Sequence, residues 1–273
     1  MTVFYDTHAH LDYPEFAPDF KEVVARANAA GIQKIISIGT DLDSSRRAIA
    51  LAETYSSIYA VIGWHPSDVL RAPDDIREEL RELGRHPRVV ALGETGLDYH
   101  RLPSTKPEFT AADDEAYKQK QAALFRQHLE VAAELKLNCV IHERDALEDT
   151  LTQLQPFADR VRGVFHCFAN SAAAMQRILA MNSIVSFTGI ATFKNGQNVR
   201  DTLAATPLGK FMLETDCPYL APVPYRGKRC EPAYVKELSE VVAQTKGCSL
   251  ADLSAATCAA AHDFFPKLDR VTV

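Results

Sequence analysis

The sequence predicts an α/β protein, a single (β/α)8 TIM barrel whose functional site lies at the carboxyl-terminal ends of the strands. The first observation is that short β-branched runs alternate with longer amphipathic stretches, a pattern typical of parallel βαβ units. The second is size, because eight such repeats within 273 residues fit this barrel. The third is that no GxGxxG motif opens a helix after the first strand, which disfavours a doubly wound open sheet.

Strands and helices account for most of the chain. The predicted strands are Val3–Tyr5, Lys34–Ile38, Tyr59–Ile62, Val89–Leu92, Asn138–Ile141, Val161–Phe165, Ser183–Phe187 and Phe211–Leu213. The predicted helices are Lys21–Ala30, Ser44–Thr54, Asp74–Leu83, Ala116–Leu135, Ala146–Phe157, Ala172–Ala180, Pro232–Thr245 and Leu250–Phe265. No convincing linker divides these elements, so residues 1–273 are predicted to form one domain.

One segment, Tyr99–Asp114, departs from this compact pattern because it is polar and contains Pro103 and Pro107. It follows the fourth strand on the side where the functional site of a barrel is expected. We expect an exposed loop there, which either shapes access to the site or is a tolerated surface insertion. The residues alone do not decide between these two roles.

Composition excludes several classes of protein. No window approaches the roughly 18 uninterrupted apolar residues of a membrane span, and the first residues lack the pattern of a secretory signal. Six cysteines are scattered without CxxC pairs and are predicted to be reduced thiols, so we expect a cytoplasmic protein, and a monomer. The net charge of −6 argues against a protein that wraps duplex DNA, but it does not exclude a site that holds phosphate with bound cations.

The first strand leads into Asp6-Thr7-His8-Ala9-His10, which is the most informative motif in the chain. Side chains two residues apart on a strand point to the same side, so both imidazoles can reach one point in space. Histidine is the commonest protein ligand of a metal ion. The motif therefore predicts a metal site at the end of the first barrel strand.

Further metal-binding side chains follow other predicted strands. A barrel gathers its strand ends into one ring, so they should converge with His8 and His10. They are Glu94, His142, His166 and Asp216. This mixed nitrogen and oxygen set suits two divalent ions, Zn²⁺, Mn²⁺ or Mg²⁺, which could clamp the oxygens of a displacement at phosphorus. We expect Glu94 and Asp216 to be the catalytic residues, with Glu94 bridging the ions and Asp216 orienting the attacking water and accepting its proton.

Four other residues are candidates for binding substrate phosphate, namely His65, Arg144, Arg226 and Lys228. Each also has a plain structural explanation, in a turn, a surface salt bridge or a solvated basic loop. Asp6 and Glu214 are expected to support the site from behind the metal ligands. Phe168 and Tyr219 either stack on a base or sugar, or pack against their neighbours.

Taken together, these motifs resemble the TatD family of metal-dependent deoxyribonucleases, within the amidohydrolase-like barrels. The motifs that carry the resemblance are Asp6-Thr7-His8-Ala9-His10-Leu11-Asp12, Gly63-Trp64-His65-Pro66, Gly93-Glu94-Thr95-Gly96-Leu97-Asp98-Tyr99, Val140-Ile141-His142, His166-Cys167-Phe168, Glu214-Thr215-Asp216-Cys217-Pro218-Tyr219-Leu220 and Arg226-Gly227-Lys228. The resemblance implies hydrolysis of DNA phosphodiester bonds with divalent metals, as a 3′→5′ exonuclease favouring single strands. It also implies metal binding by His8, His10, Glu94, His142, His166 and Asp216.

Some residues depart from the family pattern, and two other functions stay open. The loop after Tyr99 is longer than in most members, and Glu143 replaces a small residue. Hydrolysis of small ester, lactone or amide substrates is one alternative, although related barrels of that kind often place a carboxylated lysine where Glu94 lies. The other alternative is a metal-stabilised scaffold without activity, although structural zinc sites usually close with four ligands.

Overall fold

The computed structural model describes residues 2–269 and contains eight parallel strands in a nearly closed barrel. The strands are β1 (Phe4–Ala9), β2 (Ile32–Ile38), β3 (Ile58–Ile62), β4 (Val89–Asp98), β5 (Asn138–Arg144), β6 (Gly163–Phe165), β7 (Ile184–Phe187) and β8 (Phe211–Leu213). Each strand pairs with the next one along the chain, so the hydrogen-bonded order is the chain order. The predicted fold class is confirmed, while the extent of the domain over residues 1–273 stays a prediction.

Helices connect successive strands and surround the barrel. They are α1 (Phe20–Ala29), α2 (Leu42–Thr54), α3 (Arg77–Gly84), α4 (Ala111–Leu135), α5 (Leu147–Leu154), α6 (Ala172–Ala180), α7 (Gln197–Ala205), α8 (Val235–Lys246) and α9 (Leu250–Phe264). Short 3₁₀ segments lie at Pro14–Asp19, Pro66–Arg71, Pro103–Thr105, Gln155–Phe157, Gly189–Thr192 and Pro232–Tyr234. Among the residues that the structure describes, no helix is long and apolar enough to span a membrane.

Local side-chain chemistry sets several helix starts. The Asp41 side chain accepts a hydrogen bond from the Ser44 backbone N–H at the start of α2, at 2.7 Å, and Ser249 does the same for Asp252 in α9, at 3.1 Å. These bonds satisfy N–H groups that have no partner within the helix. The α8 helix ends at Gly247, whose φ of 62° lies in the left-handed region that glycine adopts readily.

Several predicted boundaries differ from the structure, two of them by five residues or more, and one helix was not predicted. Strand β4 extends to Asp98 instead of Leu92, because its pairing with β5 continues beyond the glycines to Asp98 opposite Arg144. Helix α4 begins at Ala111 rather than Ala116. Its start is capped by the Asp113 carboxylate, which accepts a hydrogen bond from the Thr110 N–H at 2.7 Å. The loop after Tyr99 therefore ends at Thr110 rather than Asp114. Helix α7 was not predicted, although its buried residues Val199, Thr202 and Leu203 have the i, i+3, i+4 spacing of an amphipathic helix.

The barrel closes between its first and last strands through hydrogen bonds around the predicted metal site. The Asp216 N–H donates to the His8 carbonyl at 2.9 Å, and the His10 N–H donates to the Cys217 carbonyl at 2.8 Å. Buried Asp6 strengthens this seam, because its carboxyl accepts hydrogen bonds from the Thr215 N–H at 2.9 Å and the Thr215 hydroxyl at 2.5 Å. Closure therefore brings two of the expected ligand segments side by side.

The opposite, amino-terminal end of the barrel is covered by helix α9. Phe264 and Phe265 are fully buried in one cluster with interior residues of the strands, such as Tyr59 and Val90. The Asn138 side chain, at the start of β5, donates to the Phe264 carbonyl at 2.5 Å. This packing leaves the carboxyl-terminal strand ends as the face where side chains and solvent can meet.

A buried histidine gives the fold a pH dependence that can be measured. His128 is fully buried in α4, its Nδ1 donates to the Leu124 carbonyl at 2.8 Å, and its Nε2 accepts from the Trp64 N–H at 3.1 Å. Burial lowers the pKa of His128 from 6.5 to about 4. The neutral ring therefore stabilises the fold fully above pH 6.5, and that contribution is lost as the pH falls towards 4.

We predict that His128→Gln removes this component of the acid sensitivity. Between pH 7 and pH 4 the wild type should lose about 3 kcal/mol more of its free energy of unfolding than the variant does, because one pKa unit corresponds to about 1.4 kcal/mol. Urea unfolding at a series of pH values measures this difference. A His100→Gln control, at an exposed histidine, should follow the wild type. Parallel curves for His128→Gln and the wild type would contradict the prediction.

Candidate metal centre

The carboxyl-terminal ends of five strands bring the predicted metal-binding side chains into one cluster. Strand β1 supplies His8 and leads directly into His10, and β4 supplies Glu94. The remaining members follow or end strands β5, β6 and β8, and they are His142, His166 and Asp216. His8 is fully buried and Glu94 is 2% exposed, so the cluster lies inside the barrel mouth. The structure therefore gathers all six, while metal binding itself stays a prediction.

Two glycines shape the backbone on either side of Glu94. A Cβ added to Gly93 would lie 2.5 Å from the Val140 carbonyl oxygen, and one added to Gly96 would lie 2.1 Å from the His142 carbonyl oxygen. Both have positive φ values, 139° and 136°, which residues with a side chain rarely adopt. Glycine at these positions lets β4 approach β5 closely enough to place Glu94 beside His142.

One group of ligand atoms forms around the β1 histidines. The Nε2 atoms of His8 and His10 lie 3.6 Å and 3.3 Å from the Asp216 Oδ1 atom. The same two nitrogen atoms lie 3.3 Å and 3.7 Å from Oε2 of Glu94. The alternation along β1 thus directs both imidazoles to one point, as the spacing predicts.

A second group forms around the other oxygen of Glu94. Its Oε1 atom lies 2.7 Å from Nε2 of His166, 2.9 Å from Nδ1 of His142 and 3.3 Å from Nε2 of His65. Each carboxylate oxygen of Glu94 therefore faces a different set of imidazoles. This division is what a carboxylate shared by two cations requires.

The electrostatics of the centre favour ionised carboxylates. Burial opposes ionisation of Glu94, but the imidazoles of His166, His65 and His8 outweigh it and hold the pKa of Glu94 well below its usual value. Burial likewise opposes protonation of His166, yet Glu94 and Glu214 outweigh it and raise its pKa well above the usual value. The pKa of Asp216 is also lowered, because interactions with His10, His8 and His166 overcome its burial.

Several buried polar atoms in the cluster have no hydrogen-bond partner among residues 2–269. Among them are Nε2 of His8 and Oε2 of Glu94, which face each other across the first group. A buried polar atom without a partner costs about 1–3 kcal/mol, so such atoms need an explanation. Cations would supply the missing interactions, because the ligand atoms of His8, Glu94 and His166, and those of His8, His10 and Asp216, come within 4.8 Å of one another. The ring nitrogen of His65 lies equally close to Glu94 and His142, which places it at the edge of the same centre. The residues fit divalent metal ions.

Outer carboxylates orient two of the histidines. Oδ2 of Asp98 accepts a hydrogen bond from Nε2 of His142 at 3.0 Å, which leaves the Nδ1 lone pair of His142 directed at the centre. Glu214 accepts from the Cys167 N–H at 2.6 Å and lies 3.7 Å from Nδ1 of His166. The supporting position expected for Glu214 agrees with this arrangement. Sequence analysis gave Asp98 no role, although its position four residues after Glu94 on one strand is a signal that could have identified it.

His65 enters the centre in a different way. Its Nδ1 accepts a hydrogen bond from the Ser67 backbone N–H at 3.1 Å, so the proton of the neutral ring is on Nε2. Burial lowers the pKa of His65, which keeps the ring neutral. His65 therefore presents an N–H donor to the centre rather than a lone pair. A donor suits an oxygen of a substrate better than it suits a metal ion.

The cluster opens into a cavity of about 1410 Å³ at the barrel mouth, lined by His142, His166, Asp216 and Arg144, among others. Tyr219 lies on its wall and is 53% exposed, whereas Phe168 is 4% exposed and packs in the core. Tyr219 can therefore stack on a ligand, while the exposed surface of Phe168 is too small for stacking.

The structure does not bring Arg226 and Lys228 to this cavity. Arg226 donates to the Ala221 carbonyl at 2.9 Å and lies over the Phe193 ring, 3.7 Å from its centroid. Lys228 is 5.8 Å from the Tyr225 ring centroid. Both residues were expected to bind substrate phosphate, but neither lines the cavity. The loop after β8 folds back on itself, and the Lys228 N–H donates a hydrogen bond to the Tyr225 carbonyl at 3.0 Å.

Known proteins are similar to this chain in both sequence and fold. A family model described as "TatD related DNase" matches residues 5–266. A Bacillus subtilis protein called uncharacterised metal-dependent hydrolase YabD is 38% identical, and the match covers 96% of this chain and 99% of that protein. The Klebsiella pneumoniae 3′-5′ ssDNA/RNA exonuclease TatD is 34% identical, with 96% and 97% covered.

The structural comparison agrees with these matches. The crystal structure of YJJV, a TatD homologue from Escherichia coli, superposes with a TM-score of 0.86 at 27% identity, and covers 96% of this chain and 98% of its own. The resemblance found in the motifs is thus confirmed over nearly the whole length. This chain belongs to the TatD-related DNase family of metal-dependent hydrolases.

Proposed function

We propose that this hydrolase cleaves DNA phosphodiester bonds as a 3′→5′ exonuclease that favours single strands and uses two divalent ions. The observation that carries the proposal is the position of Glu94. One oxygen faces His8 and His10, and the other faces His142 and His166. A centre with two ions on either side of a shared carboxylate suits displacement at phosphorus.

The two ions would be held by two overlapping sets of residues. His8, His10 and Asp216 would hold one, and His142 and His166 would hold the other. Glu94 would contribute one oxygen to each. When bound, the ions supply positive charge that stabilises the charge developing on the phosphoryl oxygens and lowers the pKa of water. Nitrogen and carboxylate donors fit Zn²⁺ and Mn²⁺, and Mg²⁺ where water and phosphate complete the set.

The protein residues position the reactants. Asp216 is the carboxylate that both reaches the first ligand group and lines the cavity, so it can orient the attacking water and accept its proton. His65 directs its Nε2–H towards the centre and can donate to a phosphoryl oxygen. Arg144 is exposed on the cavity wall and can pair with a substrate phosphate. The catalytic role of Glu94 would be that of the ligand shared by both ions.

The substrate class follows from the cavity and from the relatives. The cavity volume of about 1410 Å³ exceeds the roughly 300–1,000 Å³ of ordinary small-molecule sites, which favours a polymeric substrate over a small ester, lactone or amide. The 3′→5′ direction of digestion and the preference for single strands are proposed by analogy with the relative named 3′-5′ ssDNA/RNA exonuclease, which is 34% identical. An inactive scaffold is disfavoured, because the buried ligands are more numerous than the usual four of a structural metal site.

A first prediction concerns metal content. The wild type should bind two divalent ions per chain, and Glu94→Ala should bind at most one with weakened affinity, because both groups lose an oxygen ligand. Isothermal titration of chelator-treated protein with Mn²⁺, together with elemental analysis, measures this. Glu53→Ala, at an exposed carboxylate far from the centre, serves as the control and should match the wild type. Retention of two ions by Glu94→Ala at unchanged affinity would exclude a shared ligand.

A second prediction concerns the carboxylate behind His142. Asp98→Asn should weaken metal binding by about 10- to 100-fold, since such outer partners fix the orientation of a ligating imidazole. The comparison is Asp145→Asn, whose carboxylate pairs with His100 at 2.8 Å at the surface and should leave metal affinity unchanged. Equal metal affinities for the two variants would show that Asp98 does not orient His142.

A third prediction concerns the reaction itself. Protein stripped with chelator and restored with Mg²⁺, Mn²⁺ or Zn²⁺ should shorten single-stranded oligonucleotides stepwise from the 3′ end, and double-stranded ones more slowly. Oligonucleotides labelled at either end show the polarity, and RNA and a panel of small esters and lactones show the substrate range. Asp216→Asn should lower kcat by about 100-fold or more, because it removes the proton acceptor. Hydrolysis of the small esters alone would refute the proposed substrate, and an Asp216→Asn protein with full turnover would refute its role.

A further inference from the structure

The loop between β4 and α4 forms one wall of the cavity described above. Of the residues between Tyr99 and Thr110, those that line the cavity are His100, Arg101, Leu102, Pro103, Thr105, Lys106 and Phe109. The cavity also contains His142, His166 and Asp216 from the metal centre. Of the two roles that the sequence left open for this loop, the structure thus favours contact with the substrate.

This wall has a defined conformation of its own. Ser104 is held to the first turn of α4, because its hydroxyl and its N–H donate to the two carboxylate oxygens of Asp114 at 2.6 Å and 2.8 Å. The start of the loop is held by the Tyr99 N–H, which donates to the Arg144 carbonyl at 2.8 Å, and by the Tyr99 hydroxyl, which donates to Asp149 at 2.9 Å. Because the loop backbone is held at its start and in its middle, it places its side chains beside the metal centre.

Three cations on or beside the wall have no carboxylate partner. Arg101, Lys106 and Arg144 all line the cavity, and none of them forms an ion pair with the described residues. Several arginines outside the cavity, such as Arg77 and Arg229, do form ion pairs. Four carboxylates share the cavity lining, and each already has a partner. Asp98 accepts a hydrogen bond from His142, and Asp216 lies beside His8 and His10 in the metal centre. Asp145 pairs with His100 at 2.8 Å, and Glu143 accepts from the Ala146 N–H at 2.9 Å. The free positive charge therefore complements an anionic ligand.

Exposed apolar side chains lie on the same cavity. Phe109 is 39% exposed on the loop wall, Tyr219 is 53% exposed after β8, and Leu70 is 63% exposed after β3. Exposed apolar side chains that are grouped around one cavity suggest a binding surface, and aromatic rings can stack on nucleobases whatever the sequence. Aromatic faces next to unpaired cations are the combination that binds a single nucleic-acid strand, which exposes both bases and phosphates.

We propose that this wall is a binding surface for nucleotides of a single strand next to the scissile phosphate, with Arg101 and Lys106 contacting phosphates and Phe109 stacking on a base. The inference rests on the proposed function, since it needs a nucleic-acid substrate in the metal centre. The long loop would then set the affinity for oligonucleotides, and the metal centre would perform the cleavage.

The charged part of the surface is tested by the salt dependence of binding. The probe is a short fluorescent phosphorothioate oligothymidylate, which resists hydrolysis, and its anisotropy is followed with metal-loaded protein between about 50 and 200 mM salt. Arg101→Gln with Lys106→Gln should weaken binding by about tenfold and reduce the slope of log Kd against log salt by about 1.4, for two lost phosphate contacts. The matched control is Arg85→Gln with Arg126→Gln, two exposed arginines outside the cavity that also lack ion pairs.

The stacking part is tested by Phe109→Ala. Loss of one stacked base should weaken oligothymidylate binding by about tenfold while leaving the salt slope unchanged. Leu208→Ala removes a similarly exposed apolar side chain, 43% exposed and away from the cavity, and should bind as the wild type does. Near-ultraviolet and far-ultraviolet circular dichroism show that each variant remains folded.

The outcomes separate this inference from the proposed function. If the wild type degrades oligonucleotides but the loop variants bind and cleave them as their controls do, the binding surface is refuted and the reaction stands. If the loop variants lose binding as predicted while the wild type cleaves no nucleic acid with any metal, the proposed function is refuted and the surface stands as a site for single strands.

Discussion

A single buried carboxylate constrains the carboxyl-terminal end of this barrel. Glu94 lies among five imidazoles, with one oxygen 2.7 Å from His166 and the other 3.3 Å from His8. A buried charge is unfavourable unless it is matched by partners of opposite sign, so the surrounding side chains must be supplied at fixed positions. The barrel meets this requirement because its strand ends form a ring. Glycines on both sides of Glu94 then allow β4 to lie close against β5.

Closure of the barrel and construction of the site depend on the same residues. The hydrogen bonds between β1 and the segment after β8 place His8 and His10 beside Asp216, and Asp6 secures them through Thr215. A change that loosens this seam would therefore disturb both the fold and the ligand geometry. Asp216 has a positive φ of 57°, a conformation that Asp tolerates better than most residues and that occurs often at functional sites. The backbone conformation of Asp216 therefore sets the position of its carboxylate.

The sequence predicts those features that depend on the pattern of residues close together in the chain. The strands and the six gathered side chains follow from alternation and from the rule that barrel strand ends meet. Features that depend on contacts between distant segments were not predictable. The positions of Arg226 and Lys228 depend on how the loop after β8 folds, and the role of Asp98 depends on its contact with His142. The proton position of His65 depends on the Ser67 N–H, which sequence spacing does not reveal.

The reaction proposed for this site depends most on Glu94 being shared between two metal ions. The most direct test is anomalous X-ray diffraction from crystals of the protein loaded with Mn²⁺, recorded on both sides of the manganese absorption edge. We expect two anomalous peaks, one coordinated by His8, His10 and Asp216 and the other by His142 and His166, with one Glu94 oxygen on each. A single peak, or two peaks of which one lacks Glu94 as a ligand, would contradict the central claim.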